Sequence, residues 1–115
     1  MLDLGMELTP KRLELLREMV PGLRRVFLAY AANSQFSVTE ATAYREAAHR
    51  LSLDLVERPV RSQEEARAAL AAIKRGDVQG LMAPQEMTWN IPGFTHAAAA
   101  RLKLPSMWVD RKSVV

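Results

Sequence analysis

The sequence predicts a three-layer α/β domain with a parallel sheet of about four strands in the order 2-1-3-4 and helices on both faces. Three observations predict it. Short apolar runs alternate with longer segments of helical periodicity. The connections between them are short, as right-handed crossovers need. The second strand candidate alternates polar with apolar residues and contains Pro59, which lacks a backbone donor and suits a sheet edge.

The elements follow in order. Thr9 fits the N-cap of a first helix, and Pro10 its first position, where a missing N–H costs nothing. Leu13, Leu16 and Val20 share one face, with Leu15 and Met19 beside them, and Pro21-Gly22 ends the helix. Residues 25–30 read as a strand buried on both faces. After a loop over 31–36, Ser37-Val38-Thr39-Glu40 reads as a capping box opening a helix to about Leu51, with Val38, Ala41, Ala48 and Leu51 inward and Tyr44 alongside. Residues 53–60 form the edge strand. Ser62 to Glu65 is a second capping box, and the helix behind it buries Ala66, Ala69, Leu70 and Ile73 and stops at Gly76. Residues 78–83 form the third strand, ended by Pro84. A loop over 85–93, a helix over 94–103 and a strand over 105–109 complete the chain. No repeat, low-complexity tract or linker divides residues 1–115, so one domain is expected.

Composition narrows the function classes. The chain has no cysteine, so disulfides and thiolate metal sites are excluded. Its 16 basic residues against 13 acidic ones are dispersed, which suits a solvated surface and gives no concentrated footprint for nucleic acid. No apolar run approaches the roughly 20 residues of a membrane span. Residues 1–7 lack the basic and apolar regions of a signal peptide, so the chain as given is expected in the cytoplasm.

Catalytic patterns are missing. His49 and His96 are far apart and read as surface histidines, with no metal site. There is no Gly-x-Ser-x-Gly elbow and no glycine-rich phosphate loop. Ser37 and Ser62 are accounted for as caps. No enzyme activity and no cofactor are expected.

In an open parallel sheet, ligands sit beyond the carboxyl ends of the strands, where the strand order reverses. That rim would carry Tyr30, Asn33, Ser34, Pro84 and Gln85, with Trp108 or Asp110 beyond. Met87, Trp89 and Ile91 form a separate apolar cluster, expected either to fold back onto the domain or to cover a partner.

The stretch from Leu8 through Thr9-Pro10-Lys11-Arg12-Leu13-Glu14-Leu15-Leu16-Arg17-Glu18-Met19-Val20-Pro21-Gly22-Leu23-Arg24-Arg25-Val26 closely resembles the segment that opens the second lobe of ABC transporter substrate-binding proteins. Similar order and spacing continue through Glu46 to Leu55, Val60 to Leu70, Leu81-Met82-Ala83-Pro84-Gln85 and Ala99 to Met107. The resemblance implies one lobe of a type I periplasmic binding protein fold, in which two lobes close on a small solute, here of aromatic amino acid type, and present it to a permease. It also implies a periplasmic location if the chain is a fragment of a full-length binding protein. The family commonly carries Asn-Pro after the first strand, where this chain has Ala31-Ala32, and aspartate where it has Gln85. Weak solute binding by the lone lobe is therefore expected. The rival reading is a self-associating interaction domain, a homodimer, without a transport role. An enzyme of flavodoxin-like fold comes third.

Overall fold

A computed structural model of the chain describes residues 4–74, 76–84, 88–104 and 106–107. The element order is α1 (Leu4–Met19), β1 (Arg25–Ala31), α2 (Gln35–Arg50), β2 (Asp54–Val60), α3 (Gln63–Ala71), β3 (Gly80–Met82), a 3₁₀ turn (Thr88–Asn90), α4 (Ile91–Leu102) and β4 (Ser106–Met107). The four strands form one sheet in the order β2-β1-β3-β4, with every pairing parallel. This is the expected topology, and β2 lies at an edge with Pro59 opposite Tyr30.

Alternation along β1 builds the two cores. Val26, Leu28 and Tyr30 face one way and pack with Leu13 and Leu16 of α1 and with Ala41, Tyr44, Ala47 and Ala48 of α2. Phe27, Ala29 and Ala31 face the other way and pack with Ala66 and Leu70 of α3 and with Ile91, Ala98, Ala99 and Leu102 of α4. The chain steps from β1 to β2 across one face, then returns to β3 and β4 across the other. Right-handed crossovers require that change of face when the direction of travel reverses. Gly80 allows a close approach: a Cβ there would lie 3.1 Å from Leu16 Cδ2, so the bare backbone lets α1 settle onto the sheet.

Several local expectations need correction. α1 starts at Leu4, so Thr9 is not its N-cap and Pro10 lies within the helix. Proline forfeits one helical hydrogen bond but keeps a helical φ, so a helix can pass through it at a cost. α2 starts at Gln35, with Ser34 and not Ser37 as N-cap. The Ser37 N–H donates to Ser34 Oγ at 3.3 Å. The buried face of α2 uses Ser37, Glu40, Ala41, Tyr44, Ala47 and Ala48, which leaves Val38 exposed.

The second cap is where it was expected. The Glu65 N–H donates to Ser62 Oγ at 3.1 Å, and Glu65 Oε1 accepts from the Arg61 N–H at 2.9 Å. α3 nevertheless ends at Ala71. Ile73 reaches the core from the following turn, and Gly76 supplies a left-handed residue beyond it, with φ of +100°. α4 begins at Ile91 instead of Phe94, because a proline is tolerated in the first helical turn and Pro92 falls there. Part of the expected loop over 85–93 is thus helical.

Candidate functional site

The sheet reverses its direction of growth between β1 and β3, so the rim beyond their carboxyl ends is the switch point. Four segments meet this end of the sheet: the turn after β1, the link from β2 into α3, the chain after β3, and the entry to α4. The first turn is tight. The Ala32 N–H donates to the Val60 carbonyl at 2.8 Å, and the Ser34 N–H donates to the Ala31 carbonyl at 3.2 Å. Between them Asn33 projects into solvent.

The rim candidates take different places. Tyr30 is only 9% exposed and belongs to the α1–α2 core. Ser34 is half-buried, and its hydroxyl caps α2. Pro84 is fully buried, so it shapes the rim from beneath. Asn33 is the exposed member of the set. Gln85 lies outside the described residues, as do Trp108 and Asp110.

The entry to α4 adds a residue that sequence reasoning missed. Trp89 and Asn90 both hold left-handed backbone, with φ of 52° and 56°. Such a conformation costs a non-glycine residue roughly 1–2 kcal/mol. Asn90 is exposed there, and its side chain lies over Gly93, where any Cβ would come within 2.5 Å of Asn90 Oδ1. Asparagine tolerates this region better than most residues. An irregular loop pattern gave no earlier reason to select it.

The apolar cluster is partly corrected. Ile91 is 1% exposed within its own core, so it offers no surface to a partner. Trp89 is half-buried and packs against the same core. Met87 lies outside the described residues. Among the described residues the exposed large apolar side chains are instead Leu15, Met19, Phe36 and Val38.

The buried charged groups among the described residues sit between α1 and α2. Arg12 Nη1 lies 3.6 Å from Glu40 Oε2 and donates to the Tyr44 hydroxyl at 2.9 Å. Burial pushes the Tyr44 phenol well above its ordinary range, against the opposing pull of the Arg12 charge. On the surface Arg45 makes a two-pronged contact with Glu57, at 2.7 and 2.8 Å. Those hydrogen bonds hold Arg45 even more firmly in its charged form. Among the described residues no group of three or more His, Cys, Asp or Glu is arranged to hold a metal, and no helix is long and apolar enough to cross a membrane.

A parallel sheet whose order reverses between β1 and β3 places the chain in the open α/β class. The particular family is ABC transporter substrate-binding protein, whose model matches residues 5–115, and the chain belongs to it. That family consists of binding proteins, not enzymes in general. No curated protein matches the chain.

Solved structures share the fold. A conserved domain protein from Vibrio cholerae superposes with a TM-score of 0.78 at 18% identity, over 89% of this chain and 34% of that one. The ABC domain from Streptococcus pneumonia in complex with L-Trp gives 0.76 at 16%, over 89% and 35%. The ligand-free, open form of a substrate-binding protein with adhesive properties from Clostridium difficile gives 0.74 at 21%, over 85% and 33%. The chain therefore spans about a third of the length of these structures.

Proposed function

We propose that residues 1–115 form one lobe of an ABC transporter substrate-binding protein and that a small solute meets it at the rim after β1 and β3. The observation that carries this reading is the family match over residues 5–115, on a sheet whose switch point lies between β1 and β3. Tyr30, Asn33, Ser34, Pro84 and Gln85 remain the proposed ligand-binding set. Asn33 is its direct polar contact. Ser34 and Pro84 hold the turn and the rim in place. Asn90 joins them from the opposite layer.

The solute is small and resembles an aromatic amino acid. The L-Trp bound by the Streptococcus pneumonia protein supports that class. A second lobe would supply the other wall, and an ABC permease would receive the solute. Family membership favours the periplasmic location over the cytoplasmic one. The lobe alone binds weakly, because a site that encloses most of a ligand needs concave walls on both sides. Calorimetry with L-tryptophan, L-leucine and small carboxylates is the test. No sub-millimolar affinity is expected. A micromolar constant, worth about 8 kcal/mol, would contradict the single-wall reading.

Self-association is the second reading. Leu15 and Met19 favour it, being 50% and 60% exposed one turn apart on the outer face of α1. Light scattering at micromolar concentration tests it: a dimer that Met19→Lys dissolves supports this reading, and a mass of 12.9 kDa rejects it.

A further inference from the structure

A cavity of about 210 Å³ lies on the α3 side of the sheet. It exists for a simple reason. α3 presents small side chains, Ala69 and then Ala72 at its end, opposite the edge strand β2, and it stops at Ala71. Among the described residues nothing large fills the gap above Val56. The floor is apolar: Phe27, Ile73 and Val78 are buried and Val56 is half-buried. Among the described residues Arg25, Arg58 and Asp77 are the charged groups in its lining.

The charges favour an anion. Arg25 Nε reaches Asp54 at only 3.7 Å, with both side chains exposed. Arg58 Nη1 donates to the Glu57 carbonyl at 3.3 Å, a long bond that leaves most of its five donors for other partners. Asp77 opposes an anion, but its Oδ2 already accepts from the Lys74 N–H at 2.9 Å. Asp54 and Asp77 therefore offset Arg25 at one end of the floor, while Arg58, four register positions along at the other end, has no carboxylate at ion-pair distance among the described residues.

We propose that this cavity binds a small monocarboxylate with an apolar tail, the tail lying over Phe27 between Val56, Ala69 and Ile73 and the carboxylate meeting Arg58. The volume corresponds to about seven waters at ~30 Å³ each, which suits a tail of about five or six carbons. The site is separate from the rim. Its lining reaches Arg58, opposite Ala29, but it lies on the α3 layer, whereas Tyr30 faces the α1–α2 layer. Failure of one site says nothing about the other.

Backbone amide chemical shifts of the whole chain, titrated with hexanoate, hexylamine and 1-hexanol, test the proposal. Hexanoate should move the amides of Phe27, Val56, Ile73 and Val78 and saturate with a constant on the order of millimolar. Hexylamine and hexanol should bind at least about fivefold more weakly, since neither offers the guanidinium group a negative charge. Ala69→Leu should abolish saturation by filling the gap. Arg58→Gln, at an exposed position, should remove the preference for hexanoate over hexanol even if the leucine variant folds poorly. Equal binding of all three probes, shifts confined to other regions, or an unchanged preference in the Arg58 variant would overturn the proposal.

Discussion

Arg12 and Glu40 form an ion pair inside the protein, 3.6 Å apart, with 5% and 2% of their side chains exposed. The pair ties α1 to α2 through a layer that is mostly apolar. Tyr44 completes it as a neutral acceptor for Arg12 Nη1. Arg12 Nε finds no hydrogen-bond partner among the described residues, so the cluster is incompletely satisfied and sensitive to loss of any member.

Glu40→Gln should destabilise the fold by about 3–5 kcal/mol, because it leaves a buried guanidinium without its counter-charge. Glu57→Gln breaks the shorter Arg45 contact but should cost no more than about 1 kcal/mol, since Arg45 is exposed to water. Chemical denaturation of the two variants measures both. Burial, not bond length, decides the order, and a larger loss at Glu57 would reverse that conclusion.

The pH dependence of stability should carry a signature of Tyr44. Burial raises its folded-state pKa above the unfolded value of about 10. Below that pH the phenol is neutral in both states, and its contribution to stability is fully present. As pH rises further the unfolded chain releases the proton while the folded chain retains it, so stability falls. Tyr44→Phe should remove this part of the alkaline decline. Denaturation midpoints of both proteins from pH 8 to 11 check it, and parallel declines would count against it.

Leu16→Ala and Leu28→Ala should each cost about 2–5 kcal/mol through an unfilled cavity, because both side chains are fully buried in the α1–α2 layer. Leu15→Ala, on the outer face of α1, should change stability by less than about 0.5 kcal/mol. Denaturation curves for the three variants test which face is buried. A loss under about 1 kcal/mol at Leu16 would mean that α1 packs by another face.

Periodicity made the strand order and the buried faces legible, because a residue in a layered fold is constrained by which side it presents. Val26 and Leu28 could be assigned to the core from β1 alone. Local signals fared worse where two patterns overlapped. Ser34 and Ser37 both stand three residues before a helical position, and only the tight turn through Ala32 and Val60 selects Ser34 as the cap. Glu40 fitted a capping box, yet its partner is Arg12, 28 positions away, and no local pattern encodes that distance. The rim was placed by topology, while the individual roles of Tyr30, Ser34 and Pro84 depended on burial. Asn90 was hidden because left-handed backbone outside glycine leaves little trace in composition.

The central claim is that the rim after β1 and β3 is one wall of a solute site. A titration of the chain with L-tryptophan, followed by backbone amide shifts, tests it most directly. The account predicts shifts concentrated at Asn33, Ser34 and Asn90, still unsaturated at about 1 mM ligand and lost in Asn33→Ala. Saturation at micromolar ligand, or shifts that avoid the turn after β1, would contradict it.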